Sequence, residues 1–149
     1  MANKPSAFNP ATVPPPPTTY SQVCVTPILP TAKLITLAGQ VGIDPTTKTV
    51  PTSFLEQVKI AYENVHNCLK AANATPGDIV HVKHYIVRDS GVAELDAKDV
   101  VDRGWGELWM KFMDEMADGH RPPDTVLGVA ALAKSNLLYE VEVLAVINE

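Results

Sequence analysis

The sequence predicts a single α+β domain in which an antiparallel-rich sheet packs on two helices. Three observations predict it. The chain has 149 residues, a length that suits one hydrophobic core. A segment opening at Ser53 carries a clear apolar repeat of three and four residues. Around it lie β-branched runs bounded by Pro, Gly and Asn, in the order β-β-α-β-α-β-β, which places helices on one side of a sheet.

Taken in order, residues 1–19 read as a proline-rich arm ending in Pro14-Pro15-Pro16-Pro17. Such a run favours polyproline II without internal hydrogen bonds, so the arm is expected on the surface or mobile. The flanking basic pattern of an SH3 ligand is missing. The domain proper is expected over 20–149. Tyr20–Thr26 and Lys33–Val41 read as strands, and the second is apolar on both alternating sets, as in a strand covered on both faces. Gly42–Thr49 is a turn holding Asp44-Pro45.

At Ser53-Phe54-Leu55-Glu56 a capping box starts a helix: the serine hydroxyl accepts from the Glu56 amide, and the glutamate reaches back. Leu55, Val58, Tyr62, Val65, Leu69 and Ala72 form its apolar stripe, and Pro76-Gly77 is the expected stop. Ile79–Arg88 reads as a strand. Ala97–Met113 reads as a second helix, with Val101, Trp105, Leu108 and Phe112 on one side and two glycines, Gly104 and Gly106, that each weaken it by ~1 kcal/mol. Trp105, Trp109 and Phe112 read as packing residues rather than a stacking platform. Thr125–Leu132 and Leu138–Ile147 close the chain as two strands.

Composition excludes several classes. A net charge of -5, with scattered Lys and Arg, lacks the concentrated positive surface that nucleic acid requires. The longest apolar runs are far too short for a bilayer, and the N-terminus has no signal-peptide core, so a cytosolic protein without membrane contact is expected. Cys24 and Cys68 show no CxxC pattern and read as small, buried, reduced side chains. No metal site is expected: HExxH is absent, and His81 and His84 are too close along a strand to share a face.

Three stretches carry a resemblance. Ala38-Gly39-Gln40-Val41 is followed by Asp44-Pro45; Glu56-Gln57 opens the helix, with Asn64 and Leu69 downstream; and Pro122 precedes Gly128-Val129-Ala130-Ala131-Leu132 and then Glu140-Val141-Glu142-Val143-Leu144-Ala145. Together they resemble the Rid (reactive intermediate deaminase, YjgF-like) family over about residues 20–149. The resemblance implies a chorismate-mutase-like α+β fold and a homotrimer with small-molecule clefts between subunits. It also implies hydrolysis of 2-imino or enamino acids without metal or organic cofactor. In that family an arginine within P-x-R-[ST] clamps the substrate carboxylate, and a glutamate in the closing strand positions water.

The corresponding segment here is Pro122-Pro123-Asp124-Thr125, so an aspartate takes the arginine's place. A guanidinium fork matches a carboxylate, whereas a second carboxylate at 4 Å costs about 4 kcal/mol at an effective dielectric near 20. That is roughly 1000-fold in affinity. An ordinary 2-imino acid is therefore a poor substrate, and Arg121, at an odd strand offset, points to the other face.

The resemblance locates Asp124 and Glu140 at the pocket, where their carboxylates are expected to act as an acid/base pair, with Tyr20, Gly39 and Thr125 as substrate-binding positions. Each has a plainer reading: a turn aspartate, a solvated strand glutamate, an edge aromatic, tight strand packing. His120 and Arg121 read as a solvated loop. The facing of Ile79–Arg88 stays open, since a slip of one residue exchanges its faces. The expected function is a Rid-fold enzyme with altered acid/base chemistry on a carbonyl-, imine- or enol-bearing metabolite. The alternatives are a non-catalytic trimeric binder of a metabolite or protein, and a conventional deaminase using another arginine. Ribonuclease activity, sometimes attached to the family, is disfavoured by the acidic composition.

Overall fold

The computed structural model describes residues 3–148. Its strands are β1 (Ser6–Phe8), β2 (Val23–Val25), β3 (Lys33–Thr36), β4 (Gln40–Val41), β5 (Ile79–Val87), β6 (Asp124–Val129) and β7 (Tyr139–Ile147). The α-helices are α1 (Phe54–Ala71), α2 (Ala93–Asp96) and α3 (Trp105–Ala117). The α+β class is as expected; the element order is richer.

The main sheet runs β3-β7-β5-β6, with β4 also paired to β7. β7 is its hub. It pairs antiparallel with β5 on one edge (Val143 opposite Val82) and with β3 and β4 on the other. β5 and β6 run parallel, which needs a helical crossover, and α2 and α3 supply it. Residues Val82, Ile86, Tyr139, Val141, Val143 and Ala145 of the sheet's inner face meet Val58, Tyr62, Val65, Leu69, Trp105, Trp109 and Met113 of the helices in one core. Trp105 and Trp109 are buried there, as expected, with Phe112 packed at the margin.

Helix α1 starts as predicted, with Ser53 Oγ accepting from Glu56 N at 3.3 Å. The reciprocal half of the box does not form, because the Glu56 carboxylate takes Lys59 at 3.0 Å instead. The helix ends before Pro76. Asn73 adopts φ 58°, and Ala74 N and Asn73 N return to the carbonyls of Leu69 and Lys70, a Schellman stop. Pro76-Gly77-Asp78 becomes a 3-10 turn feeding β5.

Several expectations are corrected. The second helix does not run from Ala97 to Met113: Gly104, at φ 87°, breaks it, leaving α2, a 3-10 turn at Val100–Asp102, and α3. Glycine serves here because a side chain resists that left-handed conformation. The N-terminal arm is not simply polyproline, since β1 pairs with β2 in a separate two-stranded ribbon, Ala7 opposite Cys24. The strand expected at Tyr20–Thr26 therefore lies outside the main sheet; Met1 and Ala2 fall outside the described residues. Finally, β3 is not covered on both faces within one chain, for Leu34 is 66% exposed. Cys24 and Cys68 are free thiols, half-buried rather than fully so. No helix among the described residues is long and apolar enough to cross a membrane.

Candidate functional site

The two faces of the sheet differ in chemistry. Along β7, Tyr139, Val141, Val143 and Ala145 point to the helices, so Glu140, Glu142 and Leu144 occupy the opposite, helix-free face. The ladder places Tyr85 opposite Glu140, Lys83 opposite Glu142 and His81 opposite Leu144. A bulge between Ile79 and His81 shifts the strand's register at its start. His81 thus lies on the outer face and His84 on the inner one, separated as expected. On β6, Thr125 and Leu127 continue this face beside Lys83 and Tyr85.

On this face Glu140 has a built seat. A Cβ added to Gly39 would stand 2.4 Å from Glu140 Oε1, so only glycine lets the carboxylate lie against the backbone there. Partial burial pushes the Glu140 carboxyl above its ordinary range, and the nearby Glu142 charge adds to the rise. Tyr85 donates to Glu142 Oε1 at 3.3 Å, with Lys83 Nζ 3.9 Å from the same oxygen. Burial, then Glu142 and Glu140, raise the Tyr85 phenol, which keeps it a proton donor at neutral pH. A carboxyl whose hold on its proton is strengthened by burial, faced by a protonated phenol, can perform acid/base chemistry without a metal.

Asp124 belongs to the other face. It pairs with the core residue Val82, its side chain is 2% exposed, and Oδ2 lies 3.4 Å from His84 Nε2. Neither atom has a well-aligned hydrogen-bond partner among the described residues. His84 Nδ1 continues the contact to Tyr139 Oη at 2.6 Å; Tyr139 donates to Tyr62 at 3.0 Å, and Tyr62 to the Trp105 carbonyl at 3.3 Å. Trp105 lies over the imidazole at 4.3 Å between centroids. Burial lowers the His84 pKa, against the opposing pull of Asp124. Asp124 and Glu140 are therefore separated by the thickness of the sheet, and the expected pairing of the two carboxylates does not form within one chain.

Of the remaining expected positions, the structure brings Gly39 to Glu140 and sets Thr125 in the same outer row as Lys83 and Glu142. It does not bring Tyr20 there. Thr19 abuts Gly106, and Ser21 N donates to the Arg121 carbonyl, which fixes Tyr20 near α3. Nor are His120 and Arg121 a solvated loop: His120 Nε2 lies 2.7 Å from the Ile79 carbonyl, and Arg121 Nη2 donates to Asp114 at 2.7 Å. Arg121 also reaches the Thr18 and His120 carbonyls, so its fork is spent. Tyr85, Glu142 and Lys83 are the outer-face residues that the sequence reading left unassigned. The signal was the alternation of Val82, His84 and Ile86, which fixes the inner set once the bulge is known. No group of three or more metal-binding side chains is found among the described residues.

The family model for endoribonuclease L-PSP matches residues 11–147, nearly the whole described chain. The chain belongs to that family. Among solved structures it is similar to YyfB of Yersinia pestis, a protein of unknown function of the Rid family, with 25% identity, 97% and 99% of the two chains covered and a TM-score of 0.76. It is also similar to the Escherichia coli YjgF gene product, with 26% identity, 77% and 81% coverage and a TM-score of 0.62. E. coli TdcF, solved with bound serine, shares the fold at 23% identity, 89% and 97% coverage and a TM-score of 0.63. No curated protein matches.

Several motif residues of this L-PSP family member turn out to hold the fold. Gln57, fully buried, donates to the Pro51 and Asn136 carbonyls and accepts from Leu138 N. Asn64 donates to the Val41 and Ile43 carbonyls at 3.1 and 3.0 Å. A Cβ on Gly42 would meet Gln57 Cα at 2.4 Å, so the turn after β4 rests directly on α1. These contacts set the height of Gly39, and with it the seat of Glu140.

Proposed function

We propose that this member of the Rid/L-PSP family is a cofactor-free small-molecule enzyme with Glu140 as its acid/base group. Its substrate is a metabolite bearing a carbonyl, imine or enol, bound in a cleft that a second copy of the chain completes. The family includes imine deaminases, which makes this chemistry the natural starting point. The observation that carries the reading is the Glu140 carboxyl, raised by burial and seated on Gly39, with Tyr85 directly opposite. Thr125 and Gly39 line the same face, while Tyr20 would reach such a site only from a neighbouring copy.

Asp124 takes no part in this chemistry. The position that matches the family's arginine is turned into the core against His84, and Arg121 is committed to Asp114. This supports a substrate that is not held by a carboxylate clamp, and it speaks against a conventional deaminase that borrows Arg121. The outer face exposes Leu34, Leu127 and Leu144 beside the polar cluster, which supports self-association, a trimer in the family's manner. A non-catalytic trimeric binder would use the same face and differs only in lacking turnover.

The test compares imines generated from several amino acids with those from the corresponding amino acid amides. Amide-derived imines are expected to turn over at least as fast as the acids, and Glu140→Gln to lower kcat about 100-fold. Brisk turnover confined to the free acids would overturn the altered chemistry. Full activity in Glu140→Gln would overturn the catalytic assignment, and ligand-induced thermal shifts without any turnover would favour the binder.

A further inference from the structure

A second chemically equipped cavity lies on the helix side of the β5–β6 end, away from Glu140. It holds about 630 Å³ and is lined by Arg88, Asp89, Asp96, Lys98, Asp99, Val100, Val101, Arg103 and Gly128. That volume suits a small-molecule site. Its wall contains a buried cation. Arg103, with its side chain 3% exposed, donates to the carbonyls of Val87, Arg88 and Lys98 at 2.9–3.4 Å. Its nearest carboxylate, Asp96, is 3.9 Å away, and that carboxylate is already engaged by Ser90 N, Ser90 Oγ and Gly91 N. The guanidinium charge is thus caged by dipoles and lacks a hydrogen-bonded anion.

At the rim, Arg88 and Lys98 are two cations whose side chains make no hydrogen bond or ion pair among the described residues. Arg88 is aimed by its stem. A Cβ on Gly128 would stand 3.0 Å from Arg88 Cγ and 3.3 Å from Val100 Cγ1, so glycine lets the stem lie across β6 and carry the fork toward the cavity. A planar fork of this kind suits a carboxylate. Asp89 and Asp99, both exposed, sit on the same rim, and Val100 and Val101 offer apolar wall. These carboxylates repel a bare multivalent anion and attract an ammonium group.

We propose that this cavity binds a small amino-acid zwitterion, its carboxylate on Arg88 and Lys98, its ammonium on Asp99 and Asp89, and its side chain on the valines. The site stands independently of the outer-face reading, because none of its residues belongs to that face.

The experiment follows the arginine Nε–Hε resonances by NMR while the protein is titrated with L-leucine, leucinamide, N-acetyl-leucine and inorganic phosphate. Leucine is expected to shift Arg88 and Arg103 saturably, and the two blocked forms to bind about tenfold more weakly. Arg88→Gln and Asp99→Asn, at exposed positions, are each expected to weaken leucine about tenfold with an unchanged fold. No shift with millimolar leucine overturns the proposal. So does equal binding of N-acetyl-leucine or phosphate, which would mark an anion site, or unchanged affinity in Arg88→Gln.

Discussion

At Gly39 one missing carbon decides where a carboxylate can sit. Gly39→Ala forces Glu140 away from the backbone, and a displacement near 1 Å at a reacting group costs about 100-fold in rate. Circular dichroism should show the fold intact while kcat falls. Glu140 itself carries a signed stability effect. Its folded pKa is raised, so its contribution to stability is present below the ordinary carboxylate range and is lost as pH rises through the folded value. Glu140→Gln should therefore remove that loss, and its melting temperature should exceed wild type above the window and converge with it below. Asp124 has the opposite surroundings. Placing arginine there would bury a guanidinium beside His84, so Asp124→Arg is expected to cost about 3–5 kcal/mol in urea unfolding rather than restore carboxylate binding. His84 has a folded pKa below its ordinary value, so protonation favours the unfolded chain; stability should fall as pH drops from neutrality through the imidazole range. Thermal melts across that range check the sign, and His84→Gln should flatten the slope.

Helix ends and strand registers show how much was legible in the sequence. The start of α1 could be read from Ser53 and Glu56 because capping is local chemistry. Its end could not, since Asn73 in a left-handed turn competes with the louder Pro76-Gly77 three residues later. Asn73→Ala is expected to cost about 1 kcal/mol, and Asn73→Gly to be neutral or better, measured by urea denaturation. The second helix was misjudged for a related reason. Its apolar spacing runs on through Gly104, and only the φ of 87° shows that the glycine separates a 3-10 turn from α3. Faces were the harder problem. A bulge at the start of β5 hides its parity, so His84 could not be assigned to the core, nor Asp124 to its partner, from spacing alone. The alternation of β7 set Glu140 on the outer side with Glu142, but by itself it read as a solvated glutamate, and only the family motif pointed to a role.

For the whole molecule, the unmatched side of the sheet is the dominant fact. Leu34, Leu127 and Leu144 lie open on a face whose other side is fully packed against helices. Exposed apolar area of that kind marks an association surface. Sedimentation should give an assembly for wild type, and Leu34→Lys with Leu127→Lys should shift it to monomer while leaving the melting profile cooperative. The general class, one α+β domain with helices to one side, was readable because burial on a single face leaves period-two and period-three-to-four patterns in sequence. Which surfaces are left for partners was not, because Leu34 reads as core whether its cover comes from this chain or another.

The position of β7 between all its neighbours has a consequence for assembly of the chain. Among the described residues β3 and β4 pair with β7 and not with β5, so the ladder joining the early strands to the middle ones passes through residues 139–147. A fragment cut before Tyr139 would keep the β5–β6 pair but leave β3 and β4 without a strand partner, so the amphipathic α1 would lose most of its floor. Closure must therefore wait for a distant partner, and folding should be paced by that long-range search rather than by helix formation.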